Sequence, residues 1–539
     1  MRVPVPPINP PKDRRLIYIV TVILAIYAIL GTRAFEQPGI YMDAINPDYL
    51  AARMLDPATQ TTANMLPGNL LWKRWPLLAG GLYHGSIHAY LTLPFLTVLG
   101  GTVLSLRLSH LFLGVMVALA AGLFIWKITR SKLATTAAML ALVTDPGFIF
   151  SFRTQAYITT FPIVVVLYGL MQLFKPGERK RKQLFVAGLC VGAAIWGYFI
   201  YGFMIPGILL FIAIDMRSRP FGVARSLAVF LLGVGLGLLP YVIGYTSLFI
   251  RLGGFYPGLE WMREAVSSAH VNSNESYGVR LSFVLRQVFV TATGAWHWST
   301  FFGIDPESNY GQATKFAALM LLPLVALPLA FEPGPRARAF WIVSLPILSY
   351  VLVASLFGGR MGGHHFCLLL PMFYALAAVS LLMLAERLVP SGAFPVAFGL
   401  PCIAAVSVNL ILFGAFISRL ENRGGAGLYS SIVSDYPVRV RQNGGQTAHV
   451  FMDWGGLFQF IYLTEGKIPA YDASQLQAVV CRYKEANVVF LGADALKRAL
   501  REMQNAGLVV TRMEQASAGA LGDFQLVAVT VVPSATYCR

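Results

Sequence analysis

The sequence predicts a polytopic α-helical membrane protein with about eleven transmembrane helices, followed by a C-terminal α/β domain. Of its 539 residues, 56% are hydrophobic and only 12% are charged, about half the charged fraction of a typical soluble domain. Apolar runs of about 18 residues recur between Leu16 and Ile417, and such runs are long enough to cross a bilayer as helices. Residues 419–539 contain no such run and instead alternate short β-like and helical patterns.

The basic residues indicate how the chain is oriented in the membrane. The net charge is +17, but the basic residues gather between apolar runs, as the positive-inside rule describes for cytoplasmic loops, so nucleic-acid binding is not indicated. The basic segments are residues 12–15, 127–132, 175–182, 217–219 and 336–338. The eleven spans that put all of them on the cytoplasmic side lie near residues 16–33, 104–126, 133–150, 155–174, 183–199, 201–215, 222–248, 313–332, 339–357, 365–385 and 394–418.

Residues 86–103 are also apolar, but counting them as a full crossing would put several basic segments outside. We therefore predict that this segment is re-entrant or lies along the membrane interface. The alternative is an ordinary span whose neighbours break the charge rule. With eleven spans, the segments on the extracytoplasmic face are residues 34–103 (the first loop), 151–155, 250–312 (the long loop), 358–365 and 419–539 (the tail).

The tail is predicted to be a soluble extracytoplasmic α/β domain, which follows a cytoplasmic N-terminal segment (1–15) and a membrane module (16–418). Its segments TAHVFM, ANVVFLG, GLVVTRM and FQLVAVTVV are β-like, and ADALKRALREMQNAG is an amphipathic helix with Gly507 as its stop signal. Cys481 and Cys538 can form a disulfide if the tail faces an oxidising compartment.

Two carboxylates, Asp43 and Asp48, follow the first span closely. Asn46 and Pro47 are expected to be the N-cap and first residue of a short helix, which would make Asp48 a helix-dipole carboxylate. Asp43 has no such role, and apolar surroundings at the membrane exit would raise its pKa. It is therefore a candidate general base, or the two acids are a candidate site for a divalent cation. A solvated loop acid is the alternative for Asp43.

Candidate anion-binding residues follow along the chain. His84 and His88 are four residues apart, but no third ligand is evident, so hydrogen bonding to a phosphate or sugar is favoured over zinc. Arg153, at a turn between two spans, is expected to meet an anion or lipid headgroups.

Farther along, the segment GGRMGGHHFCLLLP contains Arg360, His364 and His365. Its glycines allow close backbone approach to a ligand, and its cations suit a phosphate or diphosphate. A flexible loop facing lipid headgroups is the alternative. On the extracytoplasmic face, the acidic residues come early in the chain and the basic residues come later. This arrangement predicts a site for the headgroup of a lipid-phosphate-linked substrate. In such a site cations stabilise a leaving phosphate, and a carboxylate deprotonates the nucleophile.

These segments resemble the GT-C superfamily of integral-membrane glycosyltransferases, most of all family 39 and its bacterial relatives, the protein O-mannosyltransferases and lipid A aminoarabinose transferases. MDAINPDYLAARML is similar to the family's Asp-bearing first loop, and YHGSIHAYLTLP…LGG…LRLSH is similar to its next element, with His84 and Arg107 in the matching places. DPGFIFSFRTQAY, HHFCLLLPMFYALAAVSLL and VFMDWGGLFQFIYLTEGKIP resemble an Arg-containing turn, a late helix and the outer domain. The family's adjacent Asp-Glu pair is absent, since the two acids here are five residues apart; we favour Asp43 as the base.

The resemblance implies a hexosyl- or pentosyltransferase of the bacterial inner membrane. It would move a sugar, with inversion, from a polyprenyl-phosphate carrier onto a glycan, lipid or protein acceptor outside the cytoplasm. Asp43 or Asp48 would take the acceptor's proton, with a divalent ion such as Mg²⁺ or Mn²⁺ beside the carboxylate in some members. The candidates for binding the carrier's phosphate are His84, His88, Arg153, Arg360, His364 and His365. The candidates for binding the sugar or acceptor are Tyr49, Trp296, His297 and Trp298; an interfacial aromatic belt is the alternative for the last three.

Three other classes of function stay open. A transporter or flippase of a charged or lipid-linked solute is favoured by IWGYFIYGFMIPG, a helix pair interrupted by Gly and Pro, and disfavoured by the scarcity of acids within the spans. A ligase or polymerase that moves whole glycans would need a similar site. A non-catalytic scaffold that displays the tail predicts that Asp43→Asn and Asp48→Asn leave function intact.

Overall fold

The computed structural model describes residues 14–55, 75–79, 85–154, 160–174, 181–216, 222–268, 275–304, 309–518, 524–535 and 537–538. A helical membrane domain comes first and a small mixed sheet with flanking helices follows. The membrane domain ends with a 30-residue helix that reaches Arg423, slightly beyond the predicted boundary at residue 418.

The helices before residue 252 are α1 (Arg14–Gly31), α2 (Met42–Ile45), α3 (Leu50–Leu55), α4 (Ile87–Leu99), α5 (Val103–Thr129), α6 (Lys132–Thr144), α7 (Pro146–Thr154), α8 (Thr160–Leu173), α9 (Arg181–Gly197), α10 (Ile205–Met216), α11 (Val223–Gly237) and α12 (Leu239–Arg251). Those that follow in the membrane domain are α13 (Phe255–Ser268), α14 (Tyr277–Thr293), α15 (Ala295–Phe302), α16 (Asn309–Phe316), α17 (Leu322–Ala326), α18 (Pro335–Ala354), α19 (Leu370–Leu388) and α20 (Phe394–Arg423). Short 3₁₀ segments, Phe199–Met204 and Gly363–Leu369, lead into α10 and α19.

Within the described residues, seven helical segments are long and apolar enough to cross a membrane, and two bent pairs, α6–α7 at 65° and α11–α12 at 51°, raise this number to nine. These nine match nine of the eleven predicted spans, so the prediction of a multi-pass α-helical membrane protein is confirmed. The other two predicted spans correspond to α8 and α9, which have 14 and 17 residues. Both are shorter than the ~20 residues of a typical transmembrane helix.

The apolar segment 86–103 forms α4, a helix of 13 residues that contains Pro94. At a rise of 1.5 Å per residue, such a helix is about 20 Å long, which is less than the ~30 Å of a bilayer's hydrocarbon core. This length agrees with the prediction that the segment does not cross the membrane.

Glycine allows close packing between α9 and α11. A Cβ atom on Gly188 would lie 2.0 Å from the carbonyl oxygen of Phe230, and one on Gly233 would lie 2.2 Å from that of Phe185. Membrane helices use small residues in this way because lipid removes the hydrophobic drive for association, so close contact must supply the attraction. The residue that follows α9, Tyr198, contacts the site described below.

The tail comprises α21 (Ser431–Gln442), β1 (Ala448–Phe451), α22 (Leu457–Leu463), β2 (Ala470–Asp472), α23 (Leu476–Tyr483), β3 (Ala486–Gly492), α24 (Ala495–Asn505), β4 (Leu508–Ala518) and β5 (Phe524–Pro533). The strand order is β2-β1-β3-β5-β4, with β1 parallel to both neighbours and β5 antiparallel to β3 and β4. The four β-like segments and the helix before Gly507 are where the sequence predicts them, so the α/β prediction is confirmed. The strand β2 has only three residues, and no sequence pattern predicted it.

The tail and the first loop share one hydrophobic core. Alternate residues of β3 face opposite sides of the sheet, and Val489 and Leu491 lie in the core that also contains Leu50 and Met54 of the first loop. The opposite face of the sheet packs against α23 and α24. The first loop is therefore fixed by the tail as well as by the membrane helices. A disulfide joins Cys481 to Cys538.

Candidate active site

Asp43 lies in α2, a single helical turn in the first loop, and is half-buried. Burial raises the pKa of its carboxyl to about 7, although a hydrogen bond with the Tyr41 side chain opposes the shift. A carboxyl with a pKa near neutrality is poised to take up and release a proton under physiological conditions. The expectation of a raised pKa at this position therefore agrees with the structure.

Asp48 has different surroundings, although it lies only five residues further on. It is completely buried, and its two carboxylate oxygens contact Thr92 Oγ1 and His110 Nε2, each at 2.8 Å. The predicted helix start is wrong: α3 begins at Leu50, so Asp48 is not in its first turn. A tertiary partnership with α4 and α5 replaces the predicted interaction with a helix dipole.

Two buried arginines hold the chain that leads to Asp43. Arg153 in α7 donates hydrogen bonds to the carbonyl oxygens of Gly31, Arg33 and Gln37 at 3.1, 2.6 and 2.6 Å. Arg107 in α5 donates to the carbonyl oxygen of Pro38 at 2.6 Å. Both side chains are at most 1% exposed, so the structure gives Arg153 an anchoring role rather than the predicted phosphate contact.

The tail holds the same segment from the other side. The backbone N–H of Gly39 donates to the carbonyl oxygen of Tyr429 at 2.6 Å, and that of Ile40 donates to Ser434 Oγ at 2.9 Å. Only glycine fits at position 39, because a Cβ atom there would lie 2.1 Å from the carbonyl oxygen of Ser430. The position of Asp43 is thus fixed by hydrogen bonds to both domains.

His364 and His365 form a second polar group, at the start of the 3₁₀ segment before α19. Their rings are 3.7 Å apart, and their Nε2 atoms are 3.1 Å apart. His365 Nδ1 lies 3.2 Å from the carbonyl oxygen of Gly362. Because a carbonyl oxygen only accepts, we assign the His365 proton to Nδ1, which leaves its Nε2 to accept a hydrogen bond from His364.

The histidine pair is surrounded by aromatic rings. The ring of Trp296 lies 6.0 Å from that of His364, and the ring of Tyr198 lies 6.1 Å from that of His365. Gly363 permits this packing, since a Cβ atom there would lie 2.3 Å from Trp296. The Tyr350 hydroxyl fixes the backbone by donating to the carbonyl oxygen of His365 at 2.6 Å.

The Trp-His-Trp triplet lies in α15, inside the protein. Trp296, His297 and Trp298 are at most 8% exposed, so the alternative of an aromatic belt facing lipid headgroups is wrong. His297 Nε2 lies 2.8 Å from Ser151 Oγ, and the Trp298 ring packs 5.4 Å from that of Phe416. Of the three residues, Trp296 is the one in ring contact with the histidine pair.

A continuous series of ring contacts connects Asp43's neighbour Tyr41 to the histidine pair. Successive ring centroids are 3.7 to 6.0 Å apart. The rings in order are those of Tyr41, Tyr429, Phe301, His297, Trp296, His364 and His365. The acid and the histidines are therefore joined by one packed aromatic layer.

The remaining predicted site residues are either buried elsewhere in the protein or lie outside the part of the chain that the structure describes. His84 lies outside the described residues, as does the side chain of Arg360. His88 is completely buried, and its Nε2 accepts a hydrogen bond from the backbone N–H of Phe161 at 3.3 Å. Tyr49 is also completely buried and stacks on Phe458 of the tail at 4.1 Å, so it joins the first loop to the tail rather than lining a surface.

A buried ion pair that no sequence pattern predicted lies in the membrane domain. Lys315 of α16 contacts Asp145, which also accepts hydrogen bonds from the Tyr374 hydroxyl at 2.9 Å and from the backbone N–H of Gly147 at 2.7 Å. The pair fixes the bend between α6 and α7, and α7 carries Arg153. Lys315 was missed because its partner lies 170 residues away.

No group of three or more His, Cys, Asp or Glu side chains suited to a metal ion occurs among the residues that the structure describes. The candidate cation site was the pair of acids in the first loop. Both oxygens of Asp48 are already hydrogen-bonded to Thr92 and His110, so the geometry does not support a cation shared by Asp43 and Asp48.

No protein-family model matches the sequence, and comparison with curated proteins finds no match either. Solved structures do match. ArnT from Cupriavidus metallidurans bound to undecaprenyl phosphate has a TM-score of 0.58 and 13% identity, over 98% of this chain and 99% of that chain. The apo state of the same protein has a TM-score of 0.60 and 13% identity, over 95% and 97% of the two chains.

A third match is the Archaeoglobus fulgidus oligosaccharyltransferase in complex with Zn and sulfate, with a TM-score of 0.46 and 14% identity, over 83% of this chain and 62% of that chain. The two ArnT structures align with nearly the whole of this chain, including the tail. The chain therefore shares the fold of the two ArnT structures over nearly its whole length, in agreement with the GT-C resemblance of its sequence.

Proposed function

We propose that this protein is a glycosyltransferase that moves a sugar from a polyprenyl-phosphate donor onto an extracytoplasmic acceptor, with inversion at the anomeric carbon and Asp43 as general base. The observation that carries the proposal is Asp43 itself. Its pKa is raised to about 7 by burial, and its segment is fixed by Arg153 and Arg107 on one side and the tail on the other. The solved ArnT structure with undecaprenyl phosphate supports the choice of donor.

The proposed reaction is a single displacement. Asp43 takes the proton from an acceptor hydroxyl group as the hydroxyl oxygen bonds to the anomeric carbon of the donor sugar. The bond between that carbon and the phosphate oxygen breaks, and its electron pair leaves on the phosphate. The products are the glycosylated acceptor of inverted configuration and the polyprenyl phosphate, and Asp43 then releases its proton to water.

We assign the leaving phosphate to the histidine pair, together with Arg360 and His84. In the tautomers assigned above, His364 donates its Nε2 hydrogen to His365, so its Nδ1 becomes a donor only when the ring is protonated. A phosphate beside the pair would favour that protonation and be stabilised by the resulting charge. Trp296 packs beside His364 and would screen this contact from water.

An apolar groove between α12 and α13 gives the lipid part of the donor a place to lie. It has a volume of about 610 Å³ and is lined mainly by aromatic and aliphatic side chains, among them Tyr241, Tyr245, Phe249 and Phe255. The helix α12, which lines this groove, also contacts the first loop through Gly244, where a Cβ atom would lie 2.7 Å from Leu78.

The proposed location is the bacterial inner membrane, with the tail and the first loop outside the cytoplasm. The disulfide between Cys481 and Cys538 supports this orientation, because disulfides persist in oxidising compartments and are rare in the cytosol. The basic segments between the spans support it as well. Cysteine-directed labelling of residues near Arg107 tests this orientation. If these residues were labelled from the cytoplasmic side alone, the proposed orientation would be wrong.

The experiment that tests the proposal supplies the purified protein with labelled polyprenyl-phosphate sugars and measures release of polyprenyl phosphate. Asp43→Asn should lower the rate at least a hundredfold, the usual contribution of a general base being about 10²–10⁴. The variant should still bind the donor, and it should melt at or above the wild-type temperature, because it lacks the charge whose burial destabilises the folded wild type. A wild-type protein that cleaves none of these donors, or an Asp43→Asn variant as active as wild type, would contradict the proposal.

A second candidate function is export of a charged or lipid-linked solute. The observation that favours it is the buried Asp145–Lys315 pair among the membrane helices, since ionisable groups within a membrane often mark a solute path. Solute uptake by proteoliposomes, unaffected by Asp43→Asn but lost in Asp145→Asn, would support this candidate. A glycan ligase or polymerase is a further alternative, and it differs from the proposed glycosyltransferase in its donor. In the same transfer assay, such an enzyme would accept only lipid-linked oligosaccharides.

A further inference from the structure

An exposed tryptophan of the tail lies next to the candidate catalytic acid. Trp454 follows β1 and is 53% exposed. Its ring meets the ring of Tyr41 edge-on at 5.1 Å, and the Tyr41 side chain is hydrogen-bonded to Asp43. The tail therefore places an open indole surface one side chain away from the proposed base.

The loop that carries Trp454 is held by an ion pair and hydrogen bonds. Both carboxylate oxygens of Asp453 contact Arg498, each at 2.7 Å, and one of them also accepts the backbone N–H of Leu491 at 2.7 Å. On the other side, Gly455 has a φ of +123°, a conformation that favours glycine. A large side chain at the surface of such a loop loses little entropy when a ligand binds.

A single buried side chain ties this loop to the first loop. Gln459 Nε2 donates to the carbonyl oxygen of Ile40 at 2.9 Å and also to that of Gly455. Gln459 is completely buried, so Ile40 and Gly455 are held together, and with them their neighbours Tyr41 and Trp454. The distance between the indole ring and the acid is thus built into the contact between the two domains.

We propose that Trp454 is the stacking platform for a saccharide acceptor, which it holds with a hydroxyl group directed at Asp43. This inference rests on the proposed function. An aromatic face suits the C–H face of a sugar ring, and its rigid, amphipathic surface binds without a large entropic cost. Tyr41 lies beside the indole ring and is hydrogen-bonded to Asp43, so the two side chains would offer polar partners to the hydroxyls of a stacked sugar. The nearby carboxylate selects a saccharide that carries no anionic group at this position.

The first experiment measures binding to the full-length protein without any donor. Saturation-transfer NMR is recorded with methyl glycosides of glucose, mannose, galactose and N-acetylglucosamine. At least one of these probes should bind, and Trp454→Ala should lower its affinity about tenfold while Trp454→Phe retains most of it. The control is Trp75→Ala, because Trp75 is equally exposed, at 51%, but stacks on Tyr90 instead of Tyr41; it should bind as wild type.

The second experiment uses turnover with a labelled polyprenyl-phosphate sugar and octyl glycosides of the same four sugars as acceptors. Trp454→Ala should raise the acceptor KM about tenfold and leave the donor KM within twofold. If the acceptor KM were unchanged, or if the donor KM rose as much as the acceptor KM, Trp454 would not be the acceptor's platform. A wild type that binds methyl glycosides through Trp454 but cleaves no donor would contradict the proposed function and leave the saccharide site standing.

Trp454→Ala is expected to fold, since the side chain makes little buried contact. Its melting temperature should match that of wild type in detergent and in lipid. A variant that melts normally in detergent but detaches the tail in lipid vesicles, with saccharide binding unchanged, would show that Trp454 anchors the tail to the bilayer and would overturn the proposal.

Discussion

The two aspartates of the first loop are close in sequence but have opposite surroundings. Asp48 is enclosed, with one oxygen on the Thr92 hydroxyl and the other on His110. Asp43 is half-buried, and burial raises the pKa of its carboxyl to about 7. The comparison shows how burial serves two purposes. A buried carboxylate with dedicated partners fixes structure, whereas one whose pKa is raised by desolvation towards neutrality is suited to take up and release a proton.

The neighbouring contacts extend this contrast. Asp48 lies in the shared core of the first loop and the tail, between α4 and α5. Asp43 lies at the edge of that core, beside Tyr41 and near the exposed ring of Trp454. The same packed unit therefore buries Asp48 completely and leaves Asp43 partly exposed.

The largest effect on stability is expected at Asp48. Replacing it with Ala leaves His110 and Thr92 without their partner, and breaking a buried pair of this kind costs about 3–5 kcal/mol. Thr92→Val removes one hydrogen bond and should cost about 1 kcal/mol. Unfolding of both variants by SDS titration measures these free energies. If Asp48→Ala were as stable as wild type but inactive, the roles of the two acids would have to be exchanged.

Asp43→Asn should raise the free energy of unfolding instead of lowering it, and the size of this gain should depend on pH. The folded state raises the pKa of Asp43 from about 3.8 to about 7, so it disfavours the charged form. The carboxyl is protonated in both states below pH 4 and charged in both above pH 7, and its burial cost therefore grows between these values. Relative to wild type, the Asn variant should gain about 2–4 kcal/mol at pH 8 and nothing at pH 4. Urea or SDS titrations at the two pH values measure this difference; an equal gain at both would contradict it.

Arg153 tests whether the loop must be anchored for Asp43 to function. Arg153→Gln removes the donors that serve three carbonyl groups and should lower the free energy of unfolding by about 2–3 kcal/mol. We also expect transfer to fall more than tenfold at a temperature where the variant is folded. The matched control is Arg439→Gln, which breaks an exposed pair with Glu514 and should cost no more than about 1 kcal/mol.

The smallest effect is expected from chelation. Because Asp48 has both oxygens occupied by Thr92 and His110, we expect Asp43 to act without a cation shared between the two acids. Dialysis against EDTA should leave the transfer rate within twofold of the untreated enzyme. A loss of activity that Mg²⁺ or Mn²⁺ restores would assign a metal to Asp43 and contradict this expectation.

Much of the fold is predictable from the sequence because membrane spans are set by local apolarity. Nine of the eleven predicted spans match helices or bent pairs of sufficient length. Alternation of apolar residues likewise located β1, β3, β4 and β5. Features that depend on short elements were not predicted, among them β2 and the division of the Asp48 region into α2 and α3.

The candidate site was less predictable, because its decisive contacts join distant residues. Asp43 was identified from its place at the membrane exit, but the partner of Asp48 lies 62 residues away. The anchoring roles of Arg107 and Arg153 depend on burial that no local pattern reveals. Trp454 carried one available signal: it follows β1, and the carboxyl ends of parallel strands often form binding sites.

The most direct test of Asp43 as the base is the pH dependence of kcat/KM for the donor in the wild-type enzyme and in Asp43→Asn. We predict that the wild-type rate rises tenfold per pH unit below an apparent pKa near 7, the value that burial gives Asp43, and then levels off. The residual rate of Asp43→Asn should show no such rise. A variant that keeps the same rise with the same midpoint would show that another group takes the acceptor's proton.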